Sequence, residues 1–254
     1  MTFDGPIWDG VYSSFSEVPV TGPGFDGETW VNNSLKKIVA LREKALESSP
    51  LPPVSNYREA LLPLLAALIL QRKGSVRILD YGGGIGFTYY QTFYALSQTS
   101  KLEYHIIERE AVCQAGRDFF GQTNKIIKFH SSIDIVNGVF DIVYMSSIIQ
   151  YIDDWKELLR QVLMALSPDY LLLIDVFTGN IPTFATAQNY YGSKIPQWFL
   201  NIGELTKGVE NNNYKLGFMS SFLPTILGVE QSLPMDNFEA QYRLDRTNNF
   251  LLMK

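Results

Sequence analysis

From Val76 onward, short apolar runs alternate with stretches whose apolar positions recur every three or four residues. The runs Val76–Asp80, Tyr104–Glu108, Lys125–His130, Phe140–Ser146 and Tyr170–Phe177 read as strands. The last is almost wholly apolar, as a strand buried on both faces should be. Helical stretches fall between them over Phe87–Leu96, Ala111–Phe120 and Asp154–Leu166. The third repeats Leu158, Leu159, Val162, Leu163 and Leu166 along one face, a stripe made for a core. This alternation predicts an α/β fold with a mostly parallel sheet and helices on both faces. Two late strands, Tyr214–Ser220 and Phe250–Lys254, are expected as an antiparallel pair that finishes the sheet.

The earlier residues follow a different pattern. Residues 1–30 set Gly5, Gly10, Gly22, Gly24 and Gly27 among Trp8, Tyr12, Phe15, Phe25 and Trp30, which suits an extended segment packed on a domain. A helix is expected from Val31 to Glu47, stopped by Ser48, Ser49 and Pro50. After the proline-broken linker at residues 51–54, Asn56 is expected to cap a second helix that runs to Arg72. Residues 1–57 are therefore read as an N-terminal helical cap or lid on a domain of residues 58–254. Residues 179–213, with Pro182 and Pro196, break the alternation and read as an insertion on the substrate side.

Composition narrows the field of functions. With 254 residues, 46% hydrophobic and 19% charged, the chain makes one large domain, or a core with a lid. The longest apolar run, Leu61 to Leu70, contains Pro63 and is too short to span a bilayer. The start MTFDGPIWDG lacks a basic cluster followed by an apolar stretch, so no secretory signal is read and the cytoplasm is the expected location. A single cysteine, Cys113, excludes an intramolecular disulfide and a multi-cysteine zinc site, and two histidines make a histidine-rich metal site hard to build. The net charge is −5, and residues 1–30 hold five acids and no base. Without a basic stripe, a nucleic-acid partner and a polybasic membrane anchor are both disfavoured. A small-molecule partner is the expectation, and nothing in the pattern sets an oligomeric state.

The sharpest motif is Arg77-Ile-Leu-Asp-Tyr-Gly-Gly-Gly-Ile-Gly86, an apolar strand tipped by Asp80 and followed by a glycine loop. In a doubly wound sheet this first strand-to-helix turn is where a nucleotide cofactor approaches the backbone. The dinucleotide fingerprint G-x-G-x-x-G fails, because Phe87 or Tyr89 stands at its third glycine. A phosphate loop is also absent. The spacing present is D-x-G-x-G-x-G.

That spacing resembles the first motif of class I S-adenosylmethionine (SAM) methyltransferases. Two further segments are similar to the same superfamily. Glu108 ends a strand 22 residues after Gly86, where a carboxylate can grip both ribose hydroxyls. The stretch from Phe140 to Trp155 is similar to its fourth-strand motif, although Gln150 and Tyr151 stand where members often carry histidine. A narrower resemblance rests on Trp8-Asp-Gly-Val-Tyr-Ser-Ser-Phe15, Gly22-Pro-Gly-Phe-Asp-Gly-Glu-Thr-Trp30 and Leu79-Asp-Tyr-Gly-Gly-Gly84. It points to a family of bacterial methyltransferases often encoded among genes for O-antigen, lipopolysaccharide or other surface glycans.

The resemblance implies a Rossmann-like, mostly parallel seven-stranded sheet that binds SAM and releases S-adenosylhomocysteine. It would place Asp80, Tyr81, Gly82, Gly83, Gly84 and Gly86 at the methionine end of the cofactor and Glu108 at the ribose. Ser131 and Ser132 stand where relatives carry an acid for the adenine, leaving that role to backbone groups or Asp134. Ser146 and Ser147 would border the transferred methyl. For a general base, His130 at the end of the third strand and Asp175 near the end of the fifth are the candidates. His105, inside a strand, reads as a core residue. Gln150 and Tyr151 are candidates to orient a substrate. The expected activity is SAM-dependent methyl transfer to a small saccharide or nucleotide sugar. The alternatives are a non-sugar small molecule, or a catalytically silent SAM-fold binding protein.

Overall fold

The computed structural model describes residues 5–47, 60–96, 99–121, 125–190, 192–226 and 229–254. In chain order the elements are β1 (Trp8–Tyr12), α1 (Glu28–Glu47), α2 (Leu61–Lys73), β2 (Val76–Tyr81), α3 (Phe87–Ala95), β3 (Leu102–Ile107) and α4 (Glu110–Phe120). Then come β4 (Ile127–His130), β5 (Ile142–Ser146), α5 (Trp155–Gln161), β6 (Tyr170–Val176), β7 (Thr178–Gly179), β8 (Phe184–Tyr190) and β9 (Ser193–Asn201). The chain closes with α6 (Ile202–Glu210), β10 (Lys215–Phe222), β11 (Thr225–Ile226), β12 (Val229–Glu230) and β13 (Thr247–Met253).

A seven-stranded sheet runs in the order β10-β13-β6-β5-β2-β3-β4. Its pairs β2–β3, β2–β5 and β3–β4 are parallel, while β10 and β13 form the expected antiparallel pair. The chain divides into two compact units, one of Glu28–Ser146 with Leu166–Leu172, the other of Met1–Gly27, Ser147–Ala165 and Leu173–Lys254. The expected domain boundary at residues 57/58 and the Asn56 cap lie outside the described residues.

In the first unit, β2 is a buried strand: Val76, Ile78 and Leu79 are almost inaccessible to water, and Ile78 lies opposite Tyr104 and Ile142. Burial of these branched and apolar side chains is the main favourable term. Helix α2 accommodates Pro63 because it falls in the first turn, where no intrahelical donor is needed. Gly74 closes α2 in a left-handed conformation, with its N–H donating to Leu70 O at 2.8 Å. Lys73 then donates to Asp141 at 2.6 Å and to Asp169.

The second unit contains a four-stranded sheet in the order β1-β8-β9-β7. The segment read as an irregular insertion is thus a β8–β9 hairpin followed by α6. Pro196 sits in β9 opposite Ala187, between the Thr21 bridge at Lys194 and the β7 pairing at Leu200 and Asn201, so among the described residues its missing N–H falls between two ladder contacts of that edge. Trp8, Phe177, Phe184, Phe199 and Phe238 form this unit's apolar cluster. Strand β1 pairs antiparallel with β8, Trp8 opposite Gln188, so the aromatics of the first thirty residues include a core residue of a sheet. Helix α5 is capped by Asp154, which accepts from Glu157 N–H at 3.0 Å. Instead of continuing regularly to Leu166, it gives way to a wider π turn over Val162–Leu166.

Candidate functional site

The loop between β2 and α3 uses its glycines for different reasons. Gly82, Gly84 and Gly86 have φ of +76°, +57° and +95°, a region that favours glycine. The loop is tied down by Gly82 N–H to Ile107 O at 2.9 Å and by Gly86 N–H to Gly83 O at 3.1 Å. A Cβ on Gly83 would come within 2.5 Å of Asp80 Cγ, and one on Gly86 would press on Phe120 and Ile127. Both are packing constraints. Gly84 is different: a Cβ there would meet nothing within 4 Å. The loop therefore leaves open space over Gly84, which fits a group that must approach the backbone.

Asp80 lies beneath this loop at 1% exposure and accepts a hydrogen bond from Tyr104 Oη at 2.7 Å. Burial pushes its carboxyl up to about 7, against the Tyr104 bond that favours the anion. Its geometry is that of a strut under the loop, held against Gly83 and Tyr104. Glu108, directly after β3, accepts from Arg109 N–H at 2.9 Å and also from Gly84 N–H. Burial raises the Glu108 carboxyl, and these two donors oppose that rise. Burial and the nearby Glu108 charge raise the Tyr81 phenol. Glu108 and Gly84 are thus brought together across the strand ends.

His130, at the end of β4, has its Nε2 2.9 Å from His105 Nδ1, with the two rings stacked. His105 Nε2 lies 2.8 Å from Glu103 Oε1, a carboxylate that only accepts. The network therefore assigns the proton on His105 Nε2, leaves His105 Nδ1 as acceptor and makes His130 Nε2–H the donor between the rings. Only Nδ1 of His130 is left for other chemistry. Burial pushes the His105 ring down to about 4, and burial with Lys128 and Arg77 lowers His130. Glu103 is held down to about 2 by Lys128, His105 and Arg77, which outweigh its burial.

His105 makes the fold sensitive to acid. The folded protein prefers its neutral ring, so the stability it contributes is full above its ordinary value of about 6.5 and is lost as pH falls towards about 4. Between pH 7 and pH 5 the expected loss is about 2 kcal/mol, because a proton that only the unfolded chain binds is worth roughly 1.4 kcal/mol for each pH step of one. Urea unfolding of wild type and His105→Asn at both pH values measures it. Equal pH sensitivity in the two proteins would remove His105 as the source.

Ser131 is exposed, and Ser132 caps the turn at Ile133–Ile135, accepting from Asp134 N–H and donating to the Asp134 carboxylate at 3.0 Å. Ser146 ends β5 half-buried. Cys113 is buried, as expected, and its thiol donates to the carbonyls of Glu108 and His130.

The second unit holds the remaining candidates. Both carboxylate oxygens of Asp175 accept: Ser147 Oγ–H donates to Oδ2 at 2.5 Å and Thr247 Oγ1–H to Oδ1 at 2.8 Å. The Asp175 N–H donates to Asn249 Oδ1 at 3.1 Å, and Gln150 Nε2–H donates to the Asp175 carbonyl at 3.2 Å. Gln150 is fully buried, and its Oε1 has no hydrogen-bond partner among the described residues. Tyr151 Oη–H donates to Gln188 Oε1 at 2.9 Å, with Phe25 packed edge-on against its ring. Gln197 Oε1 accepts from Trp8 Nε1–H at 2.8 Å, while its amide nitrogen is buried without a hydrogen-bond partner among the described residues. The sequence reading missed Gln188, Gln197, Thr247 and Asn249. Gln188 and Gln197 become legible only once the hairpin is known, because strand alternation then turns both onto the Trp8 face.

A sheet in this order, with a glycine loop after its first parallel strand and a carboxylate after the next, is a Rossmann-like α/β arrangement. The chain belongs to the family described as the methyltransferase domain, whose sequence profile matches residues 54–216. It is an enzyme of the SAM-dependent methyltransferase class. Among solved structures, the chain is similar to Burkholderia thailandensis 1,6-didemethyltoxoflavin-N1-methyltransferase, with 12% identity over 93% of each chain and a TM-score of 0.50. It is also similar to magnesium protoporphyrin IX methyltransferase from Synechocystis PCC 6803, with 9% identity, 92% of this chain and 100% of that one covered, and a TM-score of 0.49. At 12% identity the likeness to the first of these is one of fold alone. No curated protein matches the sequence significantly. Among the described residues no helix is long and apolar enough to cross a membrane.

Proposed function

We propose that the chain methylates a small saccharide or nucleotide-sugar acceptor, in keeping with its resemblance to methyltransferases of surface-glycan gene clusters. The observation that carries the cofactor half is the open space over Gly84, next to a Glu108 carboxylate already anchored by Gly84 N–H. Tyr81, Gly82, Gly83, Gly84 and Gly86 would offer backbone to the methionine end, with Asp80 supporting the loop from below. Glu108 would accept the ribose hydroxyls, and Ser131, Ser132 or the adjoining backbone would face the adenine. Ser146 would stand towards the methyl. Bound there, SAM supplies a methyl group already activated on a sulfonium. The protein's own work is to orient the acceptor in line and to keep water out. The sugar reading is supported by the second unit, where amides and rings suited to hydroxyls and sugar faces gather: Gln150, Tyr151, Gln188, Phe25 and Tyr190.

The test is calorimetric titration with S-adenosylhomocysteine, with NAD alongside. Binding of the first alone is expected. Glu108→Ala is expected to weaken that binding by about 1–3 kcal/mol, the range for charge-assisted hydrogen bonds lost to a buried partner. An unchanged affinity would take Glu108 out of the site, and NAD binding would overturn the cofactor class.

A further inference from the structure

Four non-glycine residues among those described have positive φ, and two of them, Ser147 at +53° and Asp175 at +57°, meet in one short hydrogen bond. A left-handed backbone at a side-chain-bearing residue persists only where its surroundings enforce it, and such residues concentrate at functional sites. Here the surroundings are buried and specific. Asn249 and Gln150, both fully buried, hold the backbone of Asp175 on either side, and buried Thr247 fixes its second carboxylate oxygen. Ser147 N–H is held by Ile174 O at 2.9 Å. Yet Ser147 and Asp175 themselves are only half-buried. The frame is closed and the two strained residues are accessible.

Resting on the methyl-transfer reading, we propose that Ser147 and Asp175 form a proton relay for a hydroxyl-bearing acceptor. Ser147 donates its own hydrogen to Asp175 Oδ2, so the lone pairs of its oxygen are left to accept the hydrogen of an acceptor hydroxyl. As an oxygen lone pair of the acceptor forms the new bond to the methyl carbon, the carbon–sulfur bond breaks and its electron pair returns to sulfur. The acceptor O–H breaks towards Ser147 Oγ, while the original Ser147 proton passes to Asp175 Oδ2. The carboxylate ends protonated, the sulfonium ends neutral, and no further reactant is needed. Gln150 and Thr247 are positioning residues that hold Asp175 for this exchange.

The experiment uses the full chain with SAM carrying a tritiated methyl, offered UDP-, dTDP- and GDP-linked hexoses and a bacterial small-molecule extract. Wild type, Ser147→Ala, Asp175→Asn, the double variant and Ser167→Ala are compared, the last being a control with the same backbone hand and no part in the relay. Transfer by the wild type is expected. Each relay variant is expected to lose about 10²–10⁴-fold in kcat, the usual worth of positioned proton transfer, with KM and S-adenosylhomocysteine affinity moving less than about threefold. The double variant should be no slower than Asp175→Asn, because the two groups act as one unit. Losses that multiply, or that track a fall in melting temperature and cofactor affinity, would make the pair structural and overturn the relay. Full kcat in Ser147→Ala would do the same. No transfer by a wild type that still binds S-adenosylhomocysteine would overturn the acceptor reading, and the relay with it.

Discussion

Gly84→Asn is expected to abolish S-adenosylhomocysteine binding while the protein stays folded. Asparagine tolerates the left-handed conformation at φ +57° better than other side chains, and the space into which it projects is empty within 4 Å of the Cβ. The expected change in melting temperature is therefore a few degrees at most. The expected loss of affinity is at least about 100-fold, or about 2.7 kcal/mol, because the side chain fills the place the cofactor would take. Gly83→Ala makes the opposite case. Its methyl would lie 2.5 Å from the carboxyl carbon of buried Asp80, so stability should fall first and binding only as a consequence. Calorimetry and thermal unfolding on both variants separate the two causes. Undiminished binding by Gly84→Asn would mean that the open space is not the cofactor's.

The second large effect lies far along the chain from that loop. Trp8→Ala is expected to destabilise the protein by about 3–5 kcal/mol, the range for losing a large aromatic side chain from a core. Trp8 is 1% exposed and packs edge-on against Phe177 and Phe199, each at 5.6 Å between ring centres. Its indole N–H also donates to the buried amide of Gln197, whose nitrogen has no partner among the described residues. At a few degrees per kcal/mol for a protein of this size, the melting temperature should drop by roughly 10 °C. A melt unmoved by this substitution would mean that Trp8 adds nothing to the stability of the second unit. The result also bears on the expectation of a lid. If Trp8 is structural, removing residues 1–30 opens a sheet edge and empties part of a core.

Much of the first unit was legible because its information is local. Apolar runs at Val76 and Tyr104, an acid at each tip and four glycines in five residues specify strand, turn and helix without help from distant residues. The second unit resisted for the opposite reason. Its β8–β9 hairpin carries Pro196 and buried Gln197, features that read as loop until a neighbouring strand explains them. Asp175 stood out by its place near the end of a strand. What it touches did not, because Ser147, Thr247 and Asn249 lie 28, 72 and 74 residues away in the chain. The left-handed backbone of Ser147 leaves no mark in the sequence, and that of Asp175 only the weak one that aspartate enters this region more readily than most residues. The histidine pair was half visible: His105 was read as a core residue, and its partnership with His130 required the register that sets Ile107 opposite His130.

The pairing of β1 with β8 has a consequence for synthesis. Trp8 and Gln197 are 189 residues apart, so the first strand leaves the ribosome long before its neighbours exist. The first unit has all of its residues once Leu172 has emerged, whereas the second still lacks β8, β9 and β13. An aromatic, acidic N-terminal segment must wait unpaired through most of translation, exposed to chaperones and proteases. A pause in elongation before residue 201 would prolong that wait, so the speed at which the last third of the message is read bears on the yield of folded enzyme.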